Sequence, residues 1–540
     1  MTSQTAVDGP ITQRLAALAA AAPDRELVFD PVFGRTSYGE AVELVDRLAH
    51  ALRAQGLGPG DIVVLQIPNW APFLWFHLAL TRIGAVTATI PIVYRERELT
   101  SLLALTEAKG LVVPGVFHGF DYAALAGRLQ ENAPTLDHVF VVDPAGAGAR
   151  KGQTPYRALM EAQAADEALD ALAPGPDDMT ALGFTSGTSG DLKGVVFSTR
   201  VLAATNRGLA ERYGLNEQDR IFGCSPLGHA VGFTHALRMT LTIGGTIVLQ
   251  QRWEPDQALR LIRDERCSFM ACATPFLLDL VYHPELAAHG RLDSLRLFLC
   301  GGASIPQQLM RDAQAALPKT FVTPLWGMTE CGGVTTCPLD APLQKLLESD
   351  GRPCDNMELK VVDSDGKTLP PGEDGELVAR GEMLTLGYYR QPELTRAHYQ
   401  EDGFFRTGDQ ARMDADGYIK ITGRIKDLII RGGVNISPVE IESVLFAHPR
   451  VANAAVVGMP DDRLGERICA YVILAEGESL EVAEVQAWMA EAGLAKQKWP
   501  ERIEIVDALP MTPSGKVQKF RLREQIAARL GNDGQAESAA

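Results

Sequence analysis

Between Met179 and Glu330, short apolar runs alternate with helical patterns, and this alternation constrains the fold more than any other feature of the chain. Residues 182–184, 195–197, 246–249, 269–273, 295–299 and 321–325 have strand length, and 255–264, 275–282 and 306–316 have helix length. These helices open at proline, whose fixed φ suits a first turn and whose missing N–H is no loss there. Strands alternating with helices predict a parallel α/β sheet, in which ligands collect beyond the carboxyl ends of the strands. Three polar or glycine-rich stretches follow strands: the loop after Phe184, Gly301-Gly302-Ala303, and Trp326-Gly327-Met328-Thr329-Glu330. They are expected to meet at one site.

Past Asp350 the pattern changes to short alternating runs at 358–362, 376–379 and 418–422, joined by Asp-Gly and Pro-Gly turns. That spacing predicts a small antiparallel barrel or sheet. From Asp427 a third pattern begins, with helices at 439–446 and 482–492 and strands near 454–457, 470–474 and 502–506. It predicts a small α+β domain, consistent with a chain of 540 residues exceeding what one core holds. The tail at 531–540 is expected to be disordered.

Net charge is −17, which argues against a general nucleic-acid binder and requires any anion site to be built locally. The eight cysteines are scattered without C-x-x-C or zinc-finger spacing, so reduced thiols are expected. Residues 70–94 are the most apolar stretch, interrupted by Arg82 and Gly84, and read as a buried helix followed by a strand. No segment reads as transmembrane and none as a signal peptide, so a cytoplasmic location is expected.

The loop FTSGTSGDLKG, residues 184–194, combines three glycines with hydroxyls and one lysine. Glycines expose consecutive N–H groups, hydroxyls add donors and Lys193 adds a point charge, so phosphate is the natural guest. It is not the Walker pattern, because Asp191 and Leu192 separate Gly190 from Lys193. Taken alone, such a run also suits a flexible surface linker.

Context decides between these readings. FTSGTSGDLKG at 184–194, WGMTE at 326–330, RTGD at 406–409, GRIKD at 423–427 and PMTPSGKVQK at 510–519 occur in one order along nearly the whole chain. In that order they resemble the adenylate-forming superfamily of acyl-CoA synthetases, peptide-synthetase adenylation domains and luciferases. The resemblance implies an N-terminal adenylation domain over 1–425, made of α/β subdomains and a small β-barrel. It implies a mobile C-terminal domain over 426–530. The implied reaction has two steps: a carboxylate displaces pyrophosphate from ATP, and a thiol then displaces AMP from the acyl adenylate.

The same resemblance implies roles for particular residues. Thr185, Ser186, Gly187, Thr188, Ser189, Gly190 and Lys193 would cradle the β- and γ-phosphates. Thr329 would contact the α-phosphate and Glu330 would hold Mg2+, a cation that keeps much of its water. Gly301, Gly302 and Ala303 would border adenine, and Trp326, Gly327 and Met328 would belong to the ATP site. Asp409 would accept from the ribose hydroxyls, although a TGD triplet alone is more often a turn. Arg424 would add a fixed positive fork, or else form a surface salt bridge. Lys516 would neutralise charge at the α-phosphate during adenylation, whereas a lysine in such a loop is ordinarily a solvated charge. Lys426 would be the hinge, and Gly432 and Gly433 would border a CoA channel.

The acyl pocket is expected along His229, Gly232, Phe233, Gly301, Gly327, Met328, Gly332, Gly333 and Val334, where Gly232, Gly327, Gly332 and Gly333 suggest room for a bulky acid. His229 resembles the family's gate histidine, with a buried, satisfied histidine as the competing reading. No aspartate stands at 231–233, where adenylation domains place one for a substrate ammonium, so an apolar acid is favoured over an amino acid. Around 94–99 and 118–122 the chain is also similar to cyclohexanecarboxylate-type CoA ligases, which points to an alicyclic, aromatic or comparably bulky acid, with medium-chain and terpenoid-like acids included. The expected partners are ATP, the acid and CoA, and a homodimer is compatible with this reading. A carrier-protein thiol is the alternative acceptor, less favoured because no carrier domain follows. A catalytically inactive nucleotide-binding scaffold is the alternative of another class.

Overall fold

The computed structural model describes residues 9–146, 148–162, 169–186, 192–303, 305–511 and 517–538. Its main body holds two large sheets. One has seven strands in the order Leu192–Ser198, Met179–Ser186, Val86–Thr89, Ile62–Leu65, Gly110–Pro114, His138–Val142, Thr154–Pro155. The other has nine, with Phe321–Met328, Leu297–Gly301, Phe269–Ala273, Arg220–Gly223, Thr246–Leu249 and Glu26–Asp30 as its parallel centre.

Both faces of each sheet are buried, so the strands read as continuous apolar runs. Val63 and Leu65 face a core shared with Ile221, Ile247 and Leu297 of the other sheet. Val64, one residue away, faces a separate outer core with Leu103 and Leu129. The helix Ala71–Arg82 contributes Phe73 and Phe76 to the shared core and is buried along its length up to Thr81. A helix apolar all round belongs in such a place. Its first N–H, on Ala71, donates to the buried Asp30 carboxylate at 2.7 Å. Desolvation raises the Asp30 pKa, and the N–H groups of Ala71 and Val32 oppose that shift.

The expected helix and strand at 70–94 are present as Ala71–Arg82 and Val86–Thr89. The expected parallel sheet is parallel only in its interior. Met179–Ser186 and Leu192–Ser198 form an antiparallel hairpin at the edge of one sheet, with Thr185 opposite Lys193 and Ser186 opposite Leu192. Strand pairing therefore takes in both ends of the loop read as 184–194. Likewise Trp326, Gly327 and Met328 lie inside a strand, and pair antiparallel with Gly332–Thr336.

The third region is a meander of Met357–Val362, Asp374–Gly381, Phe405–Met413 and Ile419–Arg424. Its strands pair only with their sequence neighbours, so of the expected barrel or sheet it is the open antiparallel sheet that forms: among the described residues the first and last strands do not meet. After the short turn Ile425–Asp427, a five-stranded sheet carries its own core of Ile441, Val456, Ala470 and Val485. The final helix runs Lys519–Ser538, so 531–538 continue it where a disordered tail was expected. Leu522 and Ile526 bury its first turns, and extending an existing helix costs less than starting one. All eight cysteines are buried and free.

Candidate active site

The hairpin at 179–198 brings Lys193 to the site, while Gly187, Thr188, Ser189 and Gly190 lie outside the described residues, as does Lys516. The Lys193 ammonium sits 5.2 Å from the centre of the Tyr388 ring. Backbone bonds hold Tyr388 there: Val196 N donates to Gly387 O at 2.9 Å, and Tyr389 N to Gly194 O at 2.7 Å. On its other side, Thr385 donates from both N and Oγ1 to the Glu330 carbonyl, each at 3.0 Å. The Tyr388 hydroxyl then donates to Glu330 Oε1 at 2.9 Å. Burial, followed by the Glu330 carboxylate, pushes the Tyr388 pKa far up, so the hydroxyl stays a donor. Lys193 and Glu330, from different sheets, thus meet through one tyrosine. Thr329 lies beside them: a Cβ on Gly183 would sit 3.3 Å from its methyl.

A second polar group stands where the nine-stranded sheet meets the meander. Asp409 and Arg424 face each other across neighbouring strands, with Arg424 Nε 3.1 Å from Asp409 Oδ1. The Trp326 indole donates to Asp409 Oδ2 at 2.9 Å, and Asp409 N donates to Thr407 Oγ1 at 3.1 Å. Asp409 is 6% exposed, its carboxylate is held by groups from two other strands, and each oxygen keeps a further lone pair for an incoming donor.

Two residues on, Lys426 is exposed, and its pKa is lowered by desolvation first and then by Arg424, with Lys193 adding to the effect. Arg523 of the last helix donates to the carbonyls of Lys426 and Asp427 at 3.3 and 3.0 Å. Gly432 and Gly433, with φ of +59° and +84°, form the two-residue turn between Ile429–Arg431 and Val434–Ile436. A hairpin turn with both central residues left-handed accounts for both glycines.

Between these groups and the interior lies a cleft enclosing about 850 Å3, including its open mouth. Of the expected pocket residues, His229, Gly301, Gly327, Met328, Gly332 and Gly333 line it. Gly232, Phe233 and Val334 do not, being buried behind the lining. The glycines serve packing more than space. A Cβ on Gly232 would meet the Pro226 carbonyl oxygen at 2.3 Å, on Gly301 the Leu325 oxygen at 2.2 Å, and on Gly327 the Gly332 oxygen at 2.0 Å. Gly302 is exposed, with φ of +86°, where the chain turns after its strand, and Ala303 beside it is exposed as well. His229 is half-buried on the cleft wall, not sealed in the core.

Sequence reasoning missed Tyr388 and His235. The first stood in Gly387-Tyr388-Tyr389, a glycine and paired aromatics in a polar stretch; the second is another histidine six residues after His229. His235 lies on the π-helix Gly232–Arg238 and lines the cleft at 3% exposure. Burial lowers its pKa to about 4, so the ring is neutral near neutral pH.

This combination of parallel sheets, a separate C-terminal sheet and a polar cluster over an apolar cleft agrees with what similarity to known proteins shows. The AMP-binding enzyme family matches residues 15–389, and the AMP-binding enzyme C-terminal domain matches 440–516. The chain belongs to the AMP-binding enzyme family. It is 39% identical to a medium-chain fatty-acid–CoA ligase of Escherichia coli, over 95% of this chain and 90% of that protein. It is 35% identical to the 2-hydroxy-7-methoxy-5-methyl-1-naphthoate–CoA ligase of Streptomyces carzinostaticus, over 92% of this chain and 89% of that one. Among solved structures, ATP-bound MatB from Rhodopseudomonas palustris superposes with a TM-score of 0.83 at 30% identity, covering 96% of this chain and 99% of its own. The chain is an adenylate-forming acid ligase.

Proposed function

We propose that the enzyme is an ATP-dependent acyl-CoA ligase for a bulky, largely apolar carboxylic acid, working in the cytoplasm. The acid carboxylate attacks the α-phosphorus of ATP and pyrophosphate leaves. The CoA sulfur then attacks the acyl carbon, AMP leaves, and the thiol proton passes to solvent. The observation that carries this reading is the placement of two partnered polar groups, Lys193–Tyr388–Glu330 and Trp326–Asp409–Arg424, around a cleft lined by Phe197, Phe276 and Leu325.

In this reading the 184–194 loop, with Thr185, Ser186, Thr188, Ser189 and Lys193, cradles the two leaving phosphates. Thr329 contacts the α-phosphate, and Asp409 with Arg424 holds the ribose. Glu330 suits Mg2+: Oε1 is taken by Tyr388, while Oε2 makes no hydrogen bond among the described residues. No cluster of three metal-ligating side chains stands among the described residues, so the remaining ligands would be phosphate oxygens and water. When bound, the cation would offset charge on the phosphates. Lys516 serves the first step and is withdrawn by rotation at Lys426, which brings Gly432 and Gly433 to the path of the pantetheine.

The test is a panel of alicyclic, aromatic and medium-chain acids assayed for AMP release with CoA or a phosphopantetheinyl carrier as acceptor. AMP release dependent on both acid and CoA is expected. Lys516→Ala should lower adenylate formation by roughly 100-fold or more while chemically supplied acyl adenylate is still converted to thioester. Equal loss of both steps in a folded variant would remove Lys516 from its assigned role.

A further inference from the structure

The walls of the cleft are not uniformly apolar, and most of their polar side chains are already engaged. The hydroxyl of Ser225 donates to Ala271 O at 3.0 Å and that of Thr205 to Val201 O at 2.9 Å; Thr234 donates to Ala230 O. His235 differs. It is 3% exposed, lines the same cleft, and neither ring nitrogen makes a hydrogen bond among the described residues. Nδ1 is fully buried without a partner, and Nε2 lies 3.0 Å from where a Cβ on Gly333 would stand. The π-helix that carries His235 is anchored by Phe233 packed on His77 and by Arg238 Nη1 3.2 Å from His77 Nε2.

A neutral imidazole carries one donor and one acceptor; leaving Nδ1 unmet in a buried wall costs free energy, and Nε2, which is not sealed in, is the nitrogen a ligand in the cleft can reach. Glycine at 333 keeps the space in front of Nε2 clear of side-chain atoms. We infer that His235 selects acids bearing a hydroxyl or other hydrogen-bonding substituent on the acyl body, so that the substrate is a polar-substituted bulky acid and not a plain hydrocarbon acid. This rests on the ligase reading above and narrows it. Burial keeps the ring neutral, so the preference should hold without change from pH 6 upward. A site built to bond a substrate hydroxyl rejects the analogue that lacks it far more strongly than an apolar pocket rejects a missing methylene.

The test compares matched pairs in the AMP-release assay with CoA: benzoate with its three monohydroxy isomers, cyclohexanecarboxylate with its hydroxy derivatives, and octanoate with 8-hydroxyoctanoate. At least one hydroxylated acid should exceed its parent in kcat/KM by about tenfold or more. His235→Leu should bring that ratio to within about twofold by losing the hydroxylated acid while keeping the parent, and His235→Gln should restore part of it. In 15N-histidine-labelled protein, the favoured acid should shift one His235 ring nitrogen, and its parent should not. Parents preferred in every pair, or a preference surviving in His235→Leu, would overturn the inference while leaving the ligase reading intact. If no acid releases AMP, the ligase reading fails, and the same pairs titrated by calorimetry and by the nitrogen shift still decide whether His235 recognises the polar substituent.

Discussion

The Trp326–Asp409–Arg424 group and the His235 wall of the cleft are built on opposite plans. In the Trp326–Asp409–Arg424 group every charged side chain already has a partner within the protein, so the donors and acceptors are fixed before a ligand arrives. At the His235 wall a polar side chain lies buried with Nδ1 unmet. A group that recognises the same ligand at every turnover gains from being held in advance, since little reorganisation remains at the moment of reaction. A group left open is completed by the substrate itself, and so discriminates among substrates.

The sharpest way to break this contrast is Asp409→Ala. Removing the carboxylate leaves the buried Trp326 N–H without its acceptor, so stability to denaturant should fall by about 2 kcal/mol and acid-dependent AMP release by about 100-fold or more. A variant of native stability and activity would mean that this group is not preorganised through Asp409. A second measurement follows unfolding against pH. His235 titrates near 6.5 when unfolded and near 4 when folded, so only the unfolded chain takes up its proton between those values. The ring contributes no pH dependence above about 6.5, and stability should drop as pH falls from there toward 4, by up to about 3 kcal/mol. The pH slope should shrink in His235→Leu; an unchanged slope would assign it elsewhere, His77 being the other fully buried histidine whose pKa is depressed. The smallest effect belongs to Tyr388→Phe. It removes one hydrogen bond to Glu330 and keeps the ring under Lys193, so about 1 kcal/mol of stability and a several-fold change in the Mg2+ concentration needed for half activity are expected. An identical Mg2+ dependence would show that Tyr388 does not position Glu330.

What the sequence disclosed depended on whether the causes were local. The helices at 255–264 and 482–491 were legible because each carries its own apolar face, with Pro at the first turn of the earlier one. Strands were located but cut short, because cross-strand pairing extends them past the apolar runs into residues such as Thr185, Ser186 and Gly327. The π-helix was not legible: over seven residues its wider period cannot be told from an α-helical one. The glycines misled in a similar way. Gly232 and Gly327 suggested volume, whereas each is required by a carbonyl oxygen, of Pro226 and of Gly332, contacts that no local pattern encodes. Tyr388 joins the polar cluster only through Glu330, a residue 58 positions away in the chain.

Arg424 ends the last strand of the meander, and the turn Ile425–Asp427 begins with the very next residue. No slack separates the guanidinium that braces Asp409 from the joint on which the following sheet is mounted. If the last sheet swings at that joint as the proposed ligase cycle requires, the motion would tug directly on the Arg424–Asp409 clasp, and in that proposal grip on the nucleotide and posture of the small domain become two readings of a single mechanical coordinate.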